Sequence, residues 1–279
     1  MHVVVVGGTG FIGRAIVQLL AADHRVTVIH RGHHEVDGAA GGVAHLHIDR
    51  QDLVARWPEL DDGGLDVLVD VAAYTRSDAR AVLDAVPSHS DIRFVVLSSM
   101  DVYAVWASFR SAGIGSEQVL DETAPVREER YIYRDGSSAD KDYEKLDVED
   151  EYGSRGATVL RLPMVYGEHD DQRREDFILR RCRARREQIP MGPGTLRWSK
   201  GYVADIAEAA RLVVADESST GHLFNVCEAE TWSMREWAGR IMEASSCDAG
   251  VVEVPDERLP SDMRLTGAFA VTFCSTPAS

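Results

Sequence analysis

A strand, a glycine-rich turn, a helix and a second strand are all encoded within the first 32 residues of this 279-residue chain. Residues 3–6 are four consecutive valines, and the segment Gly7-Gly8-Thr9-Gly10-Phe11-Ile12-Gly13 follows them directly. Apolar residues then recur at helical spacing, and a second apolar run occupies residues 26–29. This order is typical of a dinucleotide-binding βαβ unit, so the sequence predicts a nucleotide site at the turn.

The three spaced glycines of this turn have separate physical tasks. Gly7 permits the tight turn after the strand, Gly10 lets the backbone approach a pyrophosphate, and Gly13 lets the helix pack closely on the strand. The helix N-terminus adds free N–H groups and a partial positive charge that attract phosphates. The alternative is a tight turn between strand and helix that binds no ligand.

The end of the second strand indicates which dinucleotide is preferred. Sites that prefer NAD place an Asp or Glu there to accept hydrogen bonds from the ribose hydroxyls. This chain has His30 and Arg31 instead, and its next carboxylate is Glu35. Because a cation suits a 2′-phosphate, the sequence favours NADP(H), with NAD(H) as the alternative. Arg31 as an ordinary solvated loop residue also stays open.

Composition and charge exclude several classes of protein. The net charge of −16 at pH 7 opposes general affinity for nucleic acids, because their phosphates are repelled. No apolar run approaches the ~20 residues that cross a bilayer, so no membrane association is expected. The four cysteines and ten histidines show no metal-ligand spacing, so no metal site is expected and a reducing, cytoplasmic location is predicted.

One basic segment runs against the acidic composition. Seven arginines lie between Arg173 and Arg186. On a helix they would spread around most of the circumference. Three interpretations stay open: a solvated helix face, a phosphate-contacting wall of a substrate pocket, or a surface for RNA or another polyanion.

Strands and helices alternate through the first half of the chain, as in a parallel sheet with helices on both faces. Further strands are predicted at residues 45–48, 65–71, 93–97 and 157–162, so the expected fold is α/β, a Rossmann-type doubly wound parallel sheet. Ligands in such sheets bind outside the carboxyl ends of the strands. Six strand-end residues are therefore expected around one crevice: Gly10, Arg31, Asp49, Ala72, Ser99 and Pro163.

Several segments in order resemble the extended short-chain dehydrogenase/reductase superfamily, in its NAD(P)-dependent epimerase/dehydratase branch. The resemblance implies a Rossmann domain over residues 1–165 and a small, mostly substrate-binding α/β subdomain over residues 166–279, with some elements returning to the core. The segments that carry it are residues 7–13, 98–103, 145–149, 160–167, 202–207 and 224–226.

The resemblance also implies roles for individual residues. Ser99 matches the residue that bonds the reacting oxygen, and Lys145 matches the lysine that holds the nicotinamide ribose and lowers the pKa of a catalytic tyrosine. Asp49 would bond the adenine amino group. The implied cofactor-binding set is Gly7, Thr9, Gly10, Phe11, Ile12, Gly13, His30, Arg31, Asp49, Ala72, Ala73, Ser98, Lys145, Pro163 and Met164.

The chain departs from the family pattern at the catalytic tyrosine, which should lie four residues before the lysine and instead is Lys141. On a helix predicted over residues 139–152, Tyr143 lies about 200° around the axis from Lys145 and is expected to point away. Three replacements for the missing acid/base stay open. They are Lys141 itself, a tyrosine from the preceding loop (Tyr131 or Tyr133), and Asp101, where some dehydratase relatives carry a catalytic acid.

The sequence therefore predicts an atypical NAD(P)(H)-dependent oxidoreductase or epimerase/dehydratase acting on a small polar molecule. A nucleotide sugar is one candidate substrate, although Trp198 takes the place where the family often has an arginine that grips a diphosphate. The alternatives are a catalytically silent nucleotide-binding sensor or scaffold, and a relative that binds a polyanion or RNA. The resemblance also implies a homodimer formed through helices near residues 77–86 and 139–152.

Overall fold

The computed structural model describes residues 1–32, 42–60, 64–106, 118–134, 141–260, 263 and 273–275. The strands within them are β1 (His2–Val6), β2 (Arg25–His30), β3 (Ala44–His47), β4 (Val67–Asp70), β5 (Arg93–Ser99), β6 (Gln118–Leu120), β7 (Thr158–Leu162), β8 (Met164–Tyr166), β9 (Gln188–Met191), β10 (Lys200–Tyr202), β11 (Leu223–Asn225), β12 (Gly250–Glu253) and β13 (Phe273–Ser275). The α-helices within them are α1 (Phe11–Leu20), α2 (Leu53–Arg56), α3 (Arg76–Leu83), α4 (Lys145–Gly153), α5 (Asp176–Arg183), α6 (Val203–Ala215) and α7 (Met234–Ala244).

Seven parallel strands form the central sheet, in the order β11-β7-β5-β4-β1-β2-β3. Every residue of β1 is buried, which explains its unbroken run of apolar residues, because helices cover both faces of the sheet. Helices α1 and α6 pack on one face, and α3 and α4 pack on the other. The prediction of a Rossmann-type doubly wound sheet is confirmed.

The C-terminal part of the chain divides between this sheet and a smaller cluster. Strand β11 and helix α6 return to the main sheet, whereas β9 pairs with β12 beside α5 and α7. Trp237 of α7 and Ile178 of α5 lie in the core of this cluster. The boundary near residue 165 stays a prediction.

Helix α4 is shorter than the sequence predicted. It begins at Lys145, and not near residue 139, because the Glu144 side chain accepts a hydrogen bond from the Leu146 N–H and so caps the helix. Glu144 has extended backbone, so the residues before it do not continue the helical path. Residues 139 and 140 lie outside the described part of the chain.

Two cysteines that the sequence placed apart are neighbours in the fold. Cys182 of α5 and Cys247, which follows α7, form a disulfide with Cα atoms 5.4 Å apart. The expectation of scattered, reduced cysteines is therefore wrong for this pair, because α5 and α7 pack against each other. No helix in the described ranges has the length and apolar character to cross a membrane.

The arginine-rich segment comprises the turn before helix α5, the helix itself and the turn after it. Arg173 and Arg183 both pair with Asp176, and the Arg181 guanidinium donates to the Phe177 carbonyl of the same helix. Arg173 and Arg183 are about two-thirds exposed, as expected for a solvated helix face.

Candidate active site

The glycine turn after β1 has the geometry that its sequence predicted. Gly7 has a φ of +82°, and a Cβ on it would lie 2.5 Å from the Cβ of Ala72. A Cβ on Gly13 would lie 2.3 Å from the Gly7 carbonyl oxygen. A Cβ on Gly10, in contrast, would meet no atom within 4 Å. Gly10 therefore borders open space, while Gly13 permits close packing of helix on strand.

The N-terminus of α1 is available to an anion. No side chain caps it, and no acidic residue lies in its first turn. Its first N–H groups therefore face the cleft without a competing carboxylate, which fits a pyrophosphate. The cleft has a volume of about 730 Å³. Seven of the residues predicted to bind the cofactor line it: Gly7, Thr9, Gly10, His30, Arg31, Asp49 and Ala72.

Other residues of the predicted cofactor set lie elsewhere. Phe11 faces a separate groove between α1 and α6, and Ile12 packs against the core. The Ser98 hydroxyl donates to Glu149, inside the protein. Ala73 is buried, and its carbonyl accepts from Lys145. Pro163 and Met164 line a second cavity.

Imidazoles gather at the end of the cleft beside β2. The Gly32 N–H donates to His30 Nδ1 at 3.2 Å, so His30 Nε2 carries the proton that it shares with His45 Nδ1 at 3.0 Å. The ring of His47 lies 4.7 Å from that of His30. Arg31 is exposed at the rim of the cleft. The sequence analysis did not identify His45 or His47.

A buried carboxylate supports the floor of the cleft. Asp70, at the end of β4, accepts from the Arg50 guanidinium at 3.1 and 3.2 Å and from the Tyr152 hydroxyl at 2.6 Å. It also accepts from the Ala72 N–H at 3.0 Å, which fixes the turn that Gly7 approaches. Nothing in the sequence joined Arg50 to Asp70, because they pair only in the folded sheet.

Four side chains meet at Tyr143, which lines both the cleft and a second cavity. Ser99 ends β5, and its hydroxyl oxygen accepts from the Asp101 N–H at 3.2 Å. The Asp101 carboxylate accepts from the Tyr143 hydroxyl at 2.9 Å and from the Tyr133 hydroxyl at 3.2 Å, both at Oδ2. Ser99 also hydrogen-bonds to the Tyr143 hydroxyl, which lowers the pKa of that phenol. Ser99, Asp101, Tyr133 and Tyr143 thus form one hydrogen-bonded group.

Tyr143 lines both cavities, so the prediction that it points away from the site is wrong. The separation of about 200° around a helix axis applies only if Tyr143 and Lys145 share a helix. Because α4 begins at Lys145, Tyr143 lies in the extended segment before it and reaches Asp101. The tyrosine beside Ser99 therefore lies two residues before Lys145, and not four as in the family pattern.

The electrostatics of this group favour keeping its protons. Burial raises the pKa of Tyr143 well above its ordinary value, and the neighbouring Asp101 charge raises it further. Burial also raises the pKa of Asp101, although the hydrogen bond from Tyr143 and the charge of Arg127 oppose this shift. Asp101 is therefore a stronger proton acceptor than an exposed carboxylate.

Lys145 is buried behind the group. Its Nζ donates to the carbonyl oxygens of Ala73 at 2.6 Å and Leu97 at 2.9 Å, and it lies 4.8 Å from the centre of the Tyr74 ring. Burial lowers its pKa to about 8, against the charge of Asp70. Tyr74 stacks on Tyr143 with ring centres 6.2 Å apart, so the lysine sits close to the cleft wall.

The sequence predicted three replacements for the missing tyrosine, and only some of their residues lie in the hydrogen-bonded group. Lys141 is exposed and lines neither cavity. The Tyr131 hydroxyl donates to Asp147 of α4 at 2.7 Å. Tyr133 and Asp101 do belong to the group. The structure therefore brings together Ser99, Asp101, Tyr133 and Tyr143.

A fully buried ion pair holds the group in place. The Arg127 guanidinium donates to both Glu144 carboxylate oxygens, at 2.6 and 2.8 Å, and to the Asp101 carbonyl at 3.0 Å. Both side chains of the pair are 0% exposed. Since Glu144 is the neighbour of Tyr143, the pair connects the Asp101 segment with the Tyr143 segment. No motif in the sequence predicted the Arg127–Glu144 ion pair.

The second cavity has a volume of about 490 Å³ and adjoins this group. Aromatic side chains form much of its wall. Trp106 and Trp198 meet edge to face with ring centres 5.2 Å apart, and the Trp106 indole N–H donates to the Tyr133 hydroxyl at 3.1 Å. Other residues that line it are Met100, Leu120, Leu162, Pro163, Met164, Gln172, Arg174 and Ser199.

Comparisons with known proteins identify the family and similar folds. The family model described as "NAD dependent epimerase/dehydratase family" matches residues 3–227. No curated protein matches the chain in sequence. A solved structure of a putative epimerase from Burkholderia cenocepacia J2315 is similar, with a TM-score of 0.71 and 20% identity over 99% of this chain and 89% of that one.

Two further solved structures are similar in fold. One is dTDP-glucose 4,6-dehydratase from Bacillus anthracis str. Ames in complex with NAD, with a TM-score of 0.69 and 14% identity over 91% of this chain and 85% of that one. The other is UDP-glucuronic acid 4-epimerase from Bacillus cereus in complex with UDP-glucuronic acid and NAD. Its TM-score is 0.69, with 15% identity over 98% of this chain and 90% of that one.

Proposed function

The chain belongs to the NAD-dependent epimerase/dehydratase family, and on that premise we propose that it is an NADP(H)-preferring enzyme that oxidises a hydroxyl-bearing carbon of a small polar substrate or reduces the corresponding carbonyl. The observation that carries the proposal is the Tyr143 hydroxyl. It lies between Ser99 and Asp101 at the junction of the two cavities. The family match favours this enzyme over a silent sensor or a polyanion-binding relative.

The residues of the group divide the proton chemistry among them. Ser99 orients the substrate oxygen. Tyr143 takes the proton of a substrate hydroxyl while it passes its own proton to Asp101 Oδ2, and the reverse transfer returns both protons. The raised pKa of Asp101 favours its acceptance of that proton. A bound nicotinamide supplies the hydride acceptor and donor.

The cleft residues hold the rest of the cofactor. The uncapped α1 N-terminus and Gly10 fit the pyrophosphate, and Asp49, which lines the same cleft, would bond the adenine amino group. Lys145 has two N–H groups bonded to carbonyls, which leaves its third for a nicotinamide ribose hydroxyl. The preference for NADP(H) rests on Arg31 at the rim, since neither described residue that follows β2 is a carboxylate.

The substrate class, oligomer and location are part of the same proposal. A nucleotide sugar is the candidate substrate, by analogy with the ligand of the Bacillus cereus structure. We also propose a homodimer that forms through α3 and α4. Within one chain these helices are joined by ion pairs of Arg76 with Asp147 and of Arg80 with Glu151, so the dimer interface would include charged side chains. A cytoplasmic location stays part of the proposal because the reaction depends on a nicotinamide nucleotide, and in that compartment the Cys182–Cys247 pair would be reduced.

The experiment is a titration of the purified protein with NADPH, NADP+, NADH and NAD+, followed by nicotinamide fluorescence and heat. We expect micromolar binding of the phosphorylated pair and at least tenfold weaker binding by Arg31→Ala. Absorbance at 340 nm is then followed while a panel of nucleotide sugars is added to the NADP+ complex. Tyr143→Phe should abolish reduction and Lys141→Ala should preserve it.

Two outcomes would overturn the proposal. Absence of binding by all four nucleotides would remove the cofactor role of the cleft. Turnover that survives Tyr143→Phe but disappears in Lys141→Ala would return the acid/base role to the lysine.

A further inference from the structure

The Asp101 carboxylate is only half satisfied. Asp101 is 8% exposed, and both of its described donors, the hydroxyls of Tyr133 and Tyr143, share the single oxygen Oδ2. The other oxygen, Oδ1, is buried and has no hydrogen-bond partner. A buried carboxylate oxygen without a donor is costly. Because Asp101 lines the second cavity, a ligand group in that cavity is the partner that would complete its carboxylate.

No cation among the described residues contacts this carboxylate. Arg127 reaches only the Asp101 backbone carbonyl, and its guanidinium is held by the buried Glu144. Arg174, which lines the cavity, is bonded to Asp170. Lys145 is turned toward the carbonyls of β5 and of the turn after β4. The described cations near the cavity are thus engaged by other groups.

The walls of the cavity also suit a cation. Four aromatic rings line the cavity together with Asp101: the indoles of Trp106 and Trp198 and the phenols of Tyr133 and Tyr143. Aromatic faces attract ammonium groups through their quadrupole, and the attraction strengthens when the site is desolvated. A neutral hydroxyl would complete Oδ1 but would leave the carboxylate charge without a contacting cation.

We propose that the second cavity selects a substrate bearing a protonated amino group, seated between Asp101 Oδ1 and the Trp106 and Trp198 side chains. This inference deepens the proposed function, on which it rests for the identity of the cavity as the substrate site. Its chemistry is that of an amino-substituted ring or amino sugar.

The experiment compares probes that differ only in the charged group. D-glucosamine is titrated against D-glucose, and cyclohexylamine against cyclohexanol, at pH 7 with and without saturating NADP+. Binding is followed by tryptophan fluorescence and by calorimetry. We expect each amine to bind at least tenfold more tightly than its alcohol, because a hydrogen bond to a buried charge is stronger than a neutral one.

Two variants of equal charge change locate the effect. Asp101→Asn keeps an oxygen acceptor but removes the charge, so it should remove the amine preference while alcohol binding persists. Asp142→Asn removes an exposed carboxylate, 71% exposed and paired with Arg134, and should leave the preference intact. The wild-type comparison needs neither variant to fold.

Equal affinity for amine and alcohol, or absence of amine binding, would overturn the inference. So would an amine preference that Asp101→Asn retains. The NADPH titration is read separately: a protein that binds NADPH but shows no amine preference refutes this inference alone. A protein that binds no dinucleotide refutes the proposed function, and the amine comparison is still decided by its own data.

Discussion

Replacement of Arg127 by Met should cost the protein a large part of its stability. The change leaves Glu144 buried at 0% exposure without its partner, while two backbone carbonyls, those of Asp101 and Glu129, lose their donor. Removing one partner of a buried ion pair costs about 3–5 kcal/mol, because an uncompensated charge stays in the interior. Against a typical stability of about 5–15 kcal/mol, this loss is severe.

Urea unfolding followed by circular dichroism measures the effect. We expect the midpoint of Arg127→Met to fall without a change in the slope m, which reports the surface exposed on unfolding. Arg183→Met is the matched control. Its guanidinium is 67% exposed and its pairing with Asp176 is long, at 3.5 Å, so the midpoint should stay where it is.

The double variant Arg127→Met/Glu144→Leu separates the pair from its surroundings. Removing both charges should recover part of the loss, since the desolvated carboxylate is gone, and the coupling energy should exceed about 1 kcal/mol. A single Arg127→Met variant within about 1 kcal/mol of the wild type would refute the buried-pair reasoning.

Three further predictions concern the turn, the disulfide and a second buried lysine. Gly10→Ala should fold normally but bind NADPH at least tenfold more weakly in a fluorescence titration. Gly13→Ala should lower the urea midpoint, because a Cβ at Gly13 collides with the backbone and one at Gly10 does not. Equal urea midpoints for the two variants would contradict this. Reduction of the Cys182–Cys247 bond, which spans 65 residues of sequence, should lower the free energy of unfolding by about 3–5 kcal/mol, checked by denaturation with and without dithiothreitol and with Cys182→Ser as the reference. Burial lowers the pKa of Lys200 to about 8 from 10.5 in the unfolded chain, so the unfolded state binds more protons between these values and stability should rise with pH there. Lys200→Met should lack that share of the rise, and parallel stability curves for the two proteins would contradict the assignment.

The fold was predictable because its strands carry a strong local signal. The β-branched and apolar runs at β1, β2, β4 and β5 are buried on both faces of the sheet. Such continuous apolar runs are typical of strands in a parallel sheet that helices cover on both sides. The glycine turn was also predictable, because a side chain at Gly7 or Gly13 would clash with neighbouring atoms and only glycine fits there.

The reaction group was only partly predictable. Ser99 and Asp101 could be placed because Ser99 ends strand β5 and Asp101 lies two residues later. Tyr143 could not, because its direction depends on where α4 begins, and that depends on Glu144. Glu144 caps the helix and is held by Arg127, a residue 17 positions earlier in a loop. Helical spacing alone carries no trace of this long-range contact.

The cavity wall illustrates the same limit. Trp106 and Trp198 are 92 positions apart in the sequence, yet their rings are in contact beside Asp101. The sequence placed Trp198 near a substrate site only by its position in the family pattern. The orphaned Asp101 Oδ1 is visible only when every neighbour of that carboxylate is in place.

A crystal structure of the NADP+ complex tests most directly whether Tyr143 has taken the place of the missing family tyrosine. The account predicts the pyrophosphate at the α1 N-terminus, the nicotinamide ring beside the Tyr143 hydroxyl, and Lys141 in solvent. A complex with Lys141 at the nicotinamide and Tyr143 turned away, or with the nucleotide outside the glycine turn, would contradict it.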